Sequence, residues 1–188
     1  ETLLQSGVSA EWWPAFEIDL NADAAAREAI AQLPDYDCVV LVSPAAVTSV
    51  AQLLQGAAWP HNVAIAAVGT ATAQAARTAL KLSDATPIVV PPDSAANSGS
   101  EALWPALQAH APRRVLIARA QHGRDWLAQQ LVATGATVNT VAVYTRIAQP
   151  LTATQCAQVL RWHDEGMRLV PVFTSSEAVE VVLDDQPR

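Results

Sequence analysis

Short apolar runs alternate along the chain with stretches whose apolar positions recur every three or four residues. Cys38-Val39-Val40-Leu41-Val42 has no polar position, the pattern of a strand covered on both faces. Val63 to Val68, Ile88-Val89-Val90, Val115-Leu116-Ile117-Ala118, Val138 to Tyr144 and 169–173 read as further strands. Between them, Ala26, Ile30 and Leu33 fall at i, i+4 and i+7 on one helix face, and Ala71, Ala75 and Ala79 line another. Pro44, directly after the 38–42 strand, suits the first turn of a helix. Ser98 and Glu101 fit an S-x-x-E capping box. Pro105 would disturb a helix starting at Ser98 unless that helix kinks or begins later. Strand–helix–strand alternation predicts an α/β fold with a parallel, doubly wound sheet.

Two segments echo each other. VVLVSPAAV at 39–47 aligns with PVFTSSEAV at 171–179, an offset of 132, so that Ser43 matches Ser175. Leu3, Gly7 and Phe16 align with Leu131, Gly135 and Tyr144 at an offset of 128. Near-equal offsets in the same order point to duplicated halves. The copy of 115–118 would then lie before residue 1, and the copy of 68–76 near residue 200. A chain clipped at both ends is therefore expected, and its opening on Glu1 rather than Met agrees.

Composition narrows the function classes. The 188 residues are 51% hydrophobic and 15% charged, too apolar to stay disordered and enough for one large domain or two small ones. A net charge of −7 argues against a nucleic-acid binder that neutralises phosphates, so no nucleic-acid partner is expected. Two cysteines, Cys38 and Cys156, make no disulfide framework and suit a reducing compartment. No apolar run reaches the ~18 residues of a membrane span, and no signal peptide is visible, so a cytoplasmic protein with no membrane partner is expected. Charge is also uneven. Residues 38–76 contain no Asp, Glu, Lys or Arg, whereas 110–150 carry Arg113, Arg114, Arg119, Arg124 and Arg146 against Asp125 alone. A two-face-covered sheet needs few charges; alternatively, the surface is kept free of carboxylates because the ligand is an anion.

GxxxxGK[ST], GxGxxG and GxSxG motifs are all absent from the sequence. His61, His110, His122 and His163 show no metal-ligand spacing, so no metal or organic cofactor is expected. What remains is a set of strand-to-helix turns: Ser43-Pro44, Gly69-Thr70-Ala71-Thr72, the Ser94–Glu101 loop with Ser98, and Thr174-Ser175-Ser176. Ligands of open α/β sheets bind at the carboxyl ends of strands, and helix N-termini bind carboxylate or phosphate. Each turn alone reads equally as ordinary N-capping. Four of them, with almost no acids nearby, point to an anion site.

The motifs CVVLVSPAAV (38–47), AAVGTATAQAA (66–76), SGSEALW (98–104), VLIARAQHGRDWLAQQLVATGATVNTVAVYTR (115–146) and VFTSSEAV (172–179) resemble the uroporphyrinogen-III synthase family. Its members are cofactor-independent lyases that cyclise hydroxymethylbilane, a linear tetrapyrrole with eight carboxylates, inverting ring D with loss of water. The resemblance implies two α/β domains with a substrate cleft between them. The first, incomplete here, would comprise 1–18 plus 151–188, and the second 22–142, with linker strands near 14–20 and 143–150 forming a ladder. It further implies Tyr144 as general acid for the leaving hydroxyl, the alternative being an aromatic packed in the ladder. Substrate binding would fall to Ser43, Gly69, Thr70, Thr72, Ser98, Arg119, Gly123, Ser175 and Ser176, with Arg124 pairing with a carboxylate or lying at the surface. A monomer receiving its substrate from hydroxymethylbilane synthase is expected. The alternative from another class is a two-domain ligand-binding or sensor module without catalytic activity.

Overall fold

A computed structural model describes residues 9–92, 99–173 and 175–184. By its internal packing the chain divides into two compact units. Unit 1 combines Glu1–Glu17 with Arg146–Arg188, and unit 2 is Ile18–Thr145.

Unit 2 carries the alternating pattern. After β1 (Phe16–Leu20) and α1 (Ala24–Ala31) come β2 (Cys38–Leu41), α2 (Pro44–Leu53), β3 (Ala64–Ala67), α3 (Thr70–Ala79) and β4 (Ile88–Val89). Then follow α4 (Ser100–His110), β5 (Arg114–Ala120), α5 (Trp126–Ala133) and β6 (Thr137–Ala148). The six strands form one sheet in the order β1-β6-β5-β2-β3-β4. The pairs β2–β3, β2–β5, β3–β4 and β5–β6 are parallel, as strand–helix alternation predicts.

Every residue of β2 and β3 is buried, and alternate side chains serve two cores. Val39, Leu41 and Ile65 pack with α1, α2 and α3 through Ile30, Val47 and Ala76. Cys38, Val40 and Ala66 pack on the other face with Leu103 and Leu107 of α4 and Leu131 of α5. An unbroken apolar strand needs this double cover, and each large aliphatic buried there contributes about 1.5–3 kcal/mol.

Two expectations need correction. Helix α4 begins at Ser100 with Gly99 as N-cap, which has no side chain to offer. Of the Ser98–Glu101 capping box, Ser98 lies outside the described residues, and Glu101 turns its carboxylate to Arg124. Pro105 stands inside α4, which continues because Leu103 and Leu107 are both fully buried and together outweigh about one lost backbone bond. The strand expected at 169–173 does not form. Val170 and Val172 are 73% and 76% exposed there, and Pro171 has no N–H to give a ladder.

Unit 1 contains α6 (Ala153–Asp164) and α7 (Ser176–Asp184). Thr152 and Gln155 close a capping box at the start of α6. The Trp13 and Trp162 rings stack with centroids 5.8 Å apart, and Gln158 donates to Glu11 at 3.0 Å.

Candidate functional site

The parallel strands β2, β3, β4 and β5 are each followed by the start of a helix, so four helix N-termini lie at the carboxyl edge of the sheet. Their caps differ, and the difference separates capping from ligand binding. At α2, Ser43 is extended, Pro44 follows it, and Ser43 Oγ accepts the Ala46 N–H at 3.0 Å. This is a side-chain cap, as the Ser-Pro pair predicts. At α3 the cap is Gly69, which has no side chain to offer; Thr70 is exposed, while Thr72 is 3% exposed on the inner side of the first turn. At α4 the cap is Gly99, whose φ of 127° excludes other residues without strain. Its N–H donates to Val68 O at 2.9 Å, tying this helix start to the end of β3. Both starts have a glycine in place of a capping side chain and the positive end of a helix dipole behind it.

Tyr144 reaches the same edge through an irregularity in β6. Arg119 pairs with Ala142, but Ala120 pairs with Tyr144, leaving Val143 as an extra residue. A regular strand would send Val143 and Tyr144 to opposite faces; here both join the first core, as a bulge allows. Tyr144 is 1% exposed, and its hydroxyl lies 3.0 Å from Ser43 Oγ. The serine oxygen therefore has two partners, Ala46 N–H and Tyr144, and being half-buried it is the more accessible end of the pair.

The loop between β5 and α5 is held by arginines. Arg119 Nη2 meets Asp125 Oδ1 at 2.7 Å, and Nη1 donates to the Arg124 carbonyl at 3.1 Å. A Cβ on Gly123 would stand 3.4 Å from Arg119 Nη1, so the glycine lets the guanidinium lie close under the loop. Arg124 grips both carboxylate oxygens of Glu101. The Glu101 carboxyl is held below its usual range, first by its own main-chain N–H and then by Arg124.

In unit 1, Ser175 Oγ accepts the Ala178 N–H at 3.1 Å, and Ser176 is the first residue of α7. Arg146 bonds Glu177 in that helix at 2.6 Å. Among the described residues no group of three or more His, Cys, Asp or Glu side chains is placed to hold a metal, and no helix is long and apolar enough to cross a membrane. Burial, with Asp37 adding to it, pushes the Cys38 thiol up to about 12, so this thiol is inert at neutral pH.

Within unit 2 the structure gathers Ser43, Gly69, Thr70 and Tyr144 at one edge, with Arg119 near the end of β5 and Gly123 in the loop that follows it. Thr72 faces inward. Sequence reasoning missed Glu101 and Asp125 as the partners of Arg124 and Arg119. A contact between residues 101 and 124 leaves no local signal, whereas Asp125, the lone acid in 110–150, was visible.

A family model described as uroporphyrinogen-III synthase HemD matches residues 1–185. The uroporphyrinogen-III synthase of Salmonella typhimurium is 34% identical over 155 residues, 80% of this chain and 59% of that protein. A mutant uroporphyrinogen III synthase from the extremely thermophilic bacterium Thermus thermophilus superposes with a TM-score of 0.53 at 15% identity, over 78% of this chain and 57% of its own. The uroporphyrinogen-III synthetase of Helicobacter pylori 26695 gives 0.50 at 16% identity, over 79% and 63%. At such identities the two structures speak for the fold alone. The chain spans about three-fifths of the length of these relatives.

Proposed function

The chain belongs to the uroporphyrinogen-III synthase family, and from that premise we propose that it cyclises hydroxymethylbilane to the type III isomer, in tetrapyrrole biosynthesis, without a metal or organic cofactor. The observation that carries the reading is the 3.0 Å approach of the Tyr144 hydroxyl to Ser43 Oγ among helix N-termini that begin at glycine.

The linear substrate closes unaided without inverting ring D, so the protein's main contribution is to hold one folded conformation. The main-chain N–H groups after Gly69 and Gly99 bind its carboxylates, helped by Thr70 and by the loop of Arg119 and Gly123. Ser175 and Ser176, at the start of the last helix of unit 1, are proposed as carboxylate binders of that unit. Tyr144 is the general acid. It is buried, so its proton moves to Ser43 Oγ while the Ser43 proton moves to the leaving hydroxyl, which departs as water. A hydroxyl has two acceptor positions and one donor, which suits Ser43 to accept from Ala46 and Tyr144 and to donate to substrate. The azafulvene cation left behind is attacked by ring D at its substituted carbon, giving a spiro intermediate that rearranges and closes. The proposed organisation is two α/β domains, 1–18 plus 151–188 and 22–142, with ladder strands near 14–20 and 143–150. A cytoplasmic monomer receiving substrate from hydroxymethylbilane synthase completes the proposal.

The decisive experiment supplies freshly made hydroxymethylbilane and separates the isomers. Type III product that survives exhaustive chelation supports the reading. Product that is type I alone leaves a binding module in its place.

A further inference from the structure

Arg124 and Glu101 meet in the fork geometry that a guanidinium offers any carboxylate, two nitrogens to two oxygens. Their side chains are nevertheless 75% and 52% exposed, and ion pairs that open to water add little to a fold. Arg119 behaves differently. It is 19% exposed and bonded to both Asp125 and the Arg124 carbonyl, so it is committed to shaping the loop that carries Arg124. Glu101 lies in the first turn of α4, directly after the Gly99 start where an anion is favoured. A carboxylate of the chain thus occupies an accessible guanidinium beside that start.

We propose that Glu101 is an internal stand-in for a ligand carboxylate: it holds Arg124 ready while the site is empty, and an incoming carboxylate displaces it. This rests on the reading of the site as a binder of a linear octa-acid. The exchange makes Glu101 an affinity-setting residue for ligands that bring a carboxylate to Arg124. A ligand anchored by several carboxylates elsewhere delivers the displacing one at high effective concentration. A ligand with few carboxylates must compete with Glu101 unaided. The cost of moving Glu101 aside is the same for both, so the pair lowers the affinity of each ligand that reaches Arg124 by at most one common factor.

The test is titration of the protein with uroporphyrin I, a stable octacarboxylate, and with coproporphyrin I, which has four carboxylates, followed by quenching of porphyrin or tryptophan fluorescence. Glu101→Gln removes the competitor. It is expected to tighten both porphyrins by about two- to fivefold, the range of one exposed ion pair, with a gain for uroporphyrin at least as large as that for coproporphyrin. The gain shrinks as salt rises, and the melting temperature stays that of wild type. In an Arg124→Gln background Glu101→Gln has no effect. Equal or weaker binding in Glu101→Gln overturns the proposal, and so does the same gain in both backgrounds, which would mean simple long-range repulsion. Wild-type protein that binds no uroporphyrin overturns it as well. Wild-type protein that shows these porphyrin effects but yields no type III isomer overturns the synthase reading and leaves the exchange standing.

Discussion

Residues 38–42 are wholly apolar and 167–173 are apolar but for Arg168, and the two stretches end in opposite environments. In unit 2, Cys38 to Leu41 are completely buried between β3 and β5. In unit 1, Met167, Leu169, Val170, Val172 and Phe173 are all 40% exposed or more, and Ala178 is the one buried residue among its described side chains. Hydrophobicity alone therefore does not make a strand. A strand is a relation between neighbours, and β2 has two partners to satisfy its main chain while 167–173 has none among the described strands. The anchoring in unit 1 is of another kind, through caps, a ring stack and side-chain bonds.

The sharpest way to test that division is through the buried hydroxyl. Tyr144→Phe is expected to lower turnover by about 10²–10⁴-fold, the usual worth of a general acid, while costing only about 1 kcal/mol of stability for one hydrogen bond. Turnover within twofold of wild type would make Tyr144 a packing residue only. The next largest effect concerns the core. Leu116→Ala in β5 is expected to cost about 2–5 kcal/mol in urea unfolding, whereas Val172→Ala in unit 1 should stay within about 0.5 kcal/mol. Similar losses at both positions would erase the contrast between the units.

Cysteine chemistry separates the units as well. A small thiol reagent at neutral pH is expected to label Cys156, which is partly exposed, and to spare Cys38, which is buried. The Cys38 thiol ionises at about 12 when folded against a reference of 9.0. Its share of stability is therefore complete below pH 9 and is lost as pH rises from there toward 12. A flat stability profile from pH 8 to 11 would contradict this. At the cap, Ser43→Ala should lower thermal stability by about 1 kcal/mol, and on the proposed relay it lowers turnover about as far as Tyr144→Phe does.

The sequence made the fold of unit 2 legible because its signals are local. Double-sided burial shows as an unbroken apolar run at 38–42, and a Ser-Pro pair marks the start of α2. The candidate site was legible only in its outline. Gly69 and Ser43 announce helix starts wherever they occur, but the Ser43–Tyr144 bond joins positions 101 residues apart and depends on a bulge that no residue type marks. Thr72 looked identical to Thr70 in sequence, and only helix phase turns one inward and leaves the other exposed. The strand reading of 169–173 failed for the complementary reason, since periodicity reports what a segment is able to do and not whether a partner stands beside it.

The stacking of Trp13 on Trp162 has a consequence for the order of events during synthesis. Chains emerge from the ribosome amino end first, and domains fold as units as they appear. When Trp13 emerges, its partner ring is still unmade, and all of unit 2 is translated before Trp162 exists. The early indole must wait, exposed, while β2, β3 and β5 assemble downstream of it. Unit 1 thus closes only after unit 2 has been made, and a ribosome stalled short of residue 162 would hold an assembled sheet with an unpaired tryptophan upstream of it.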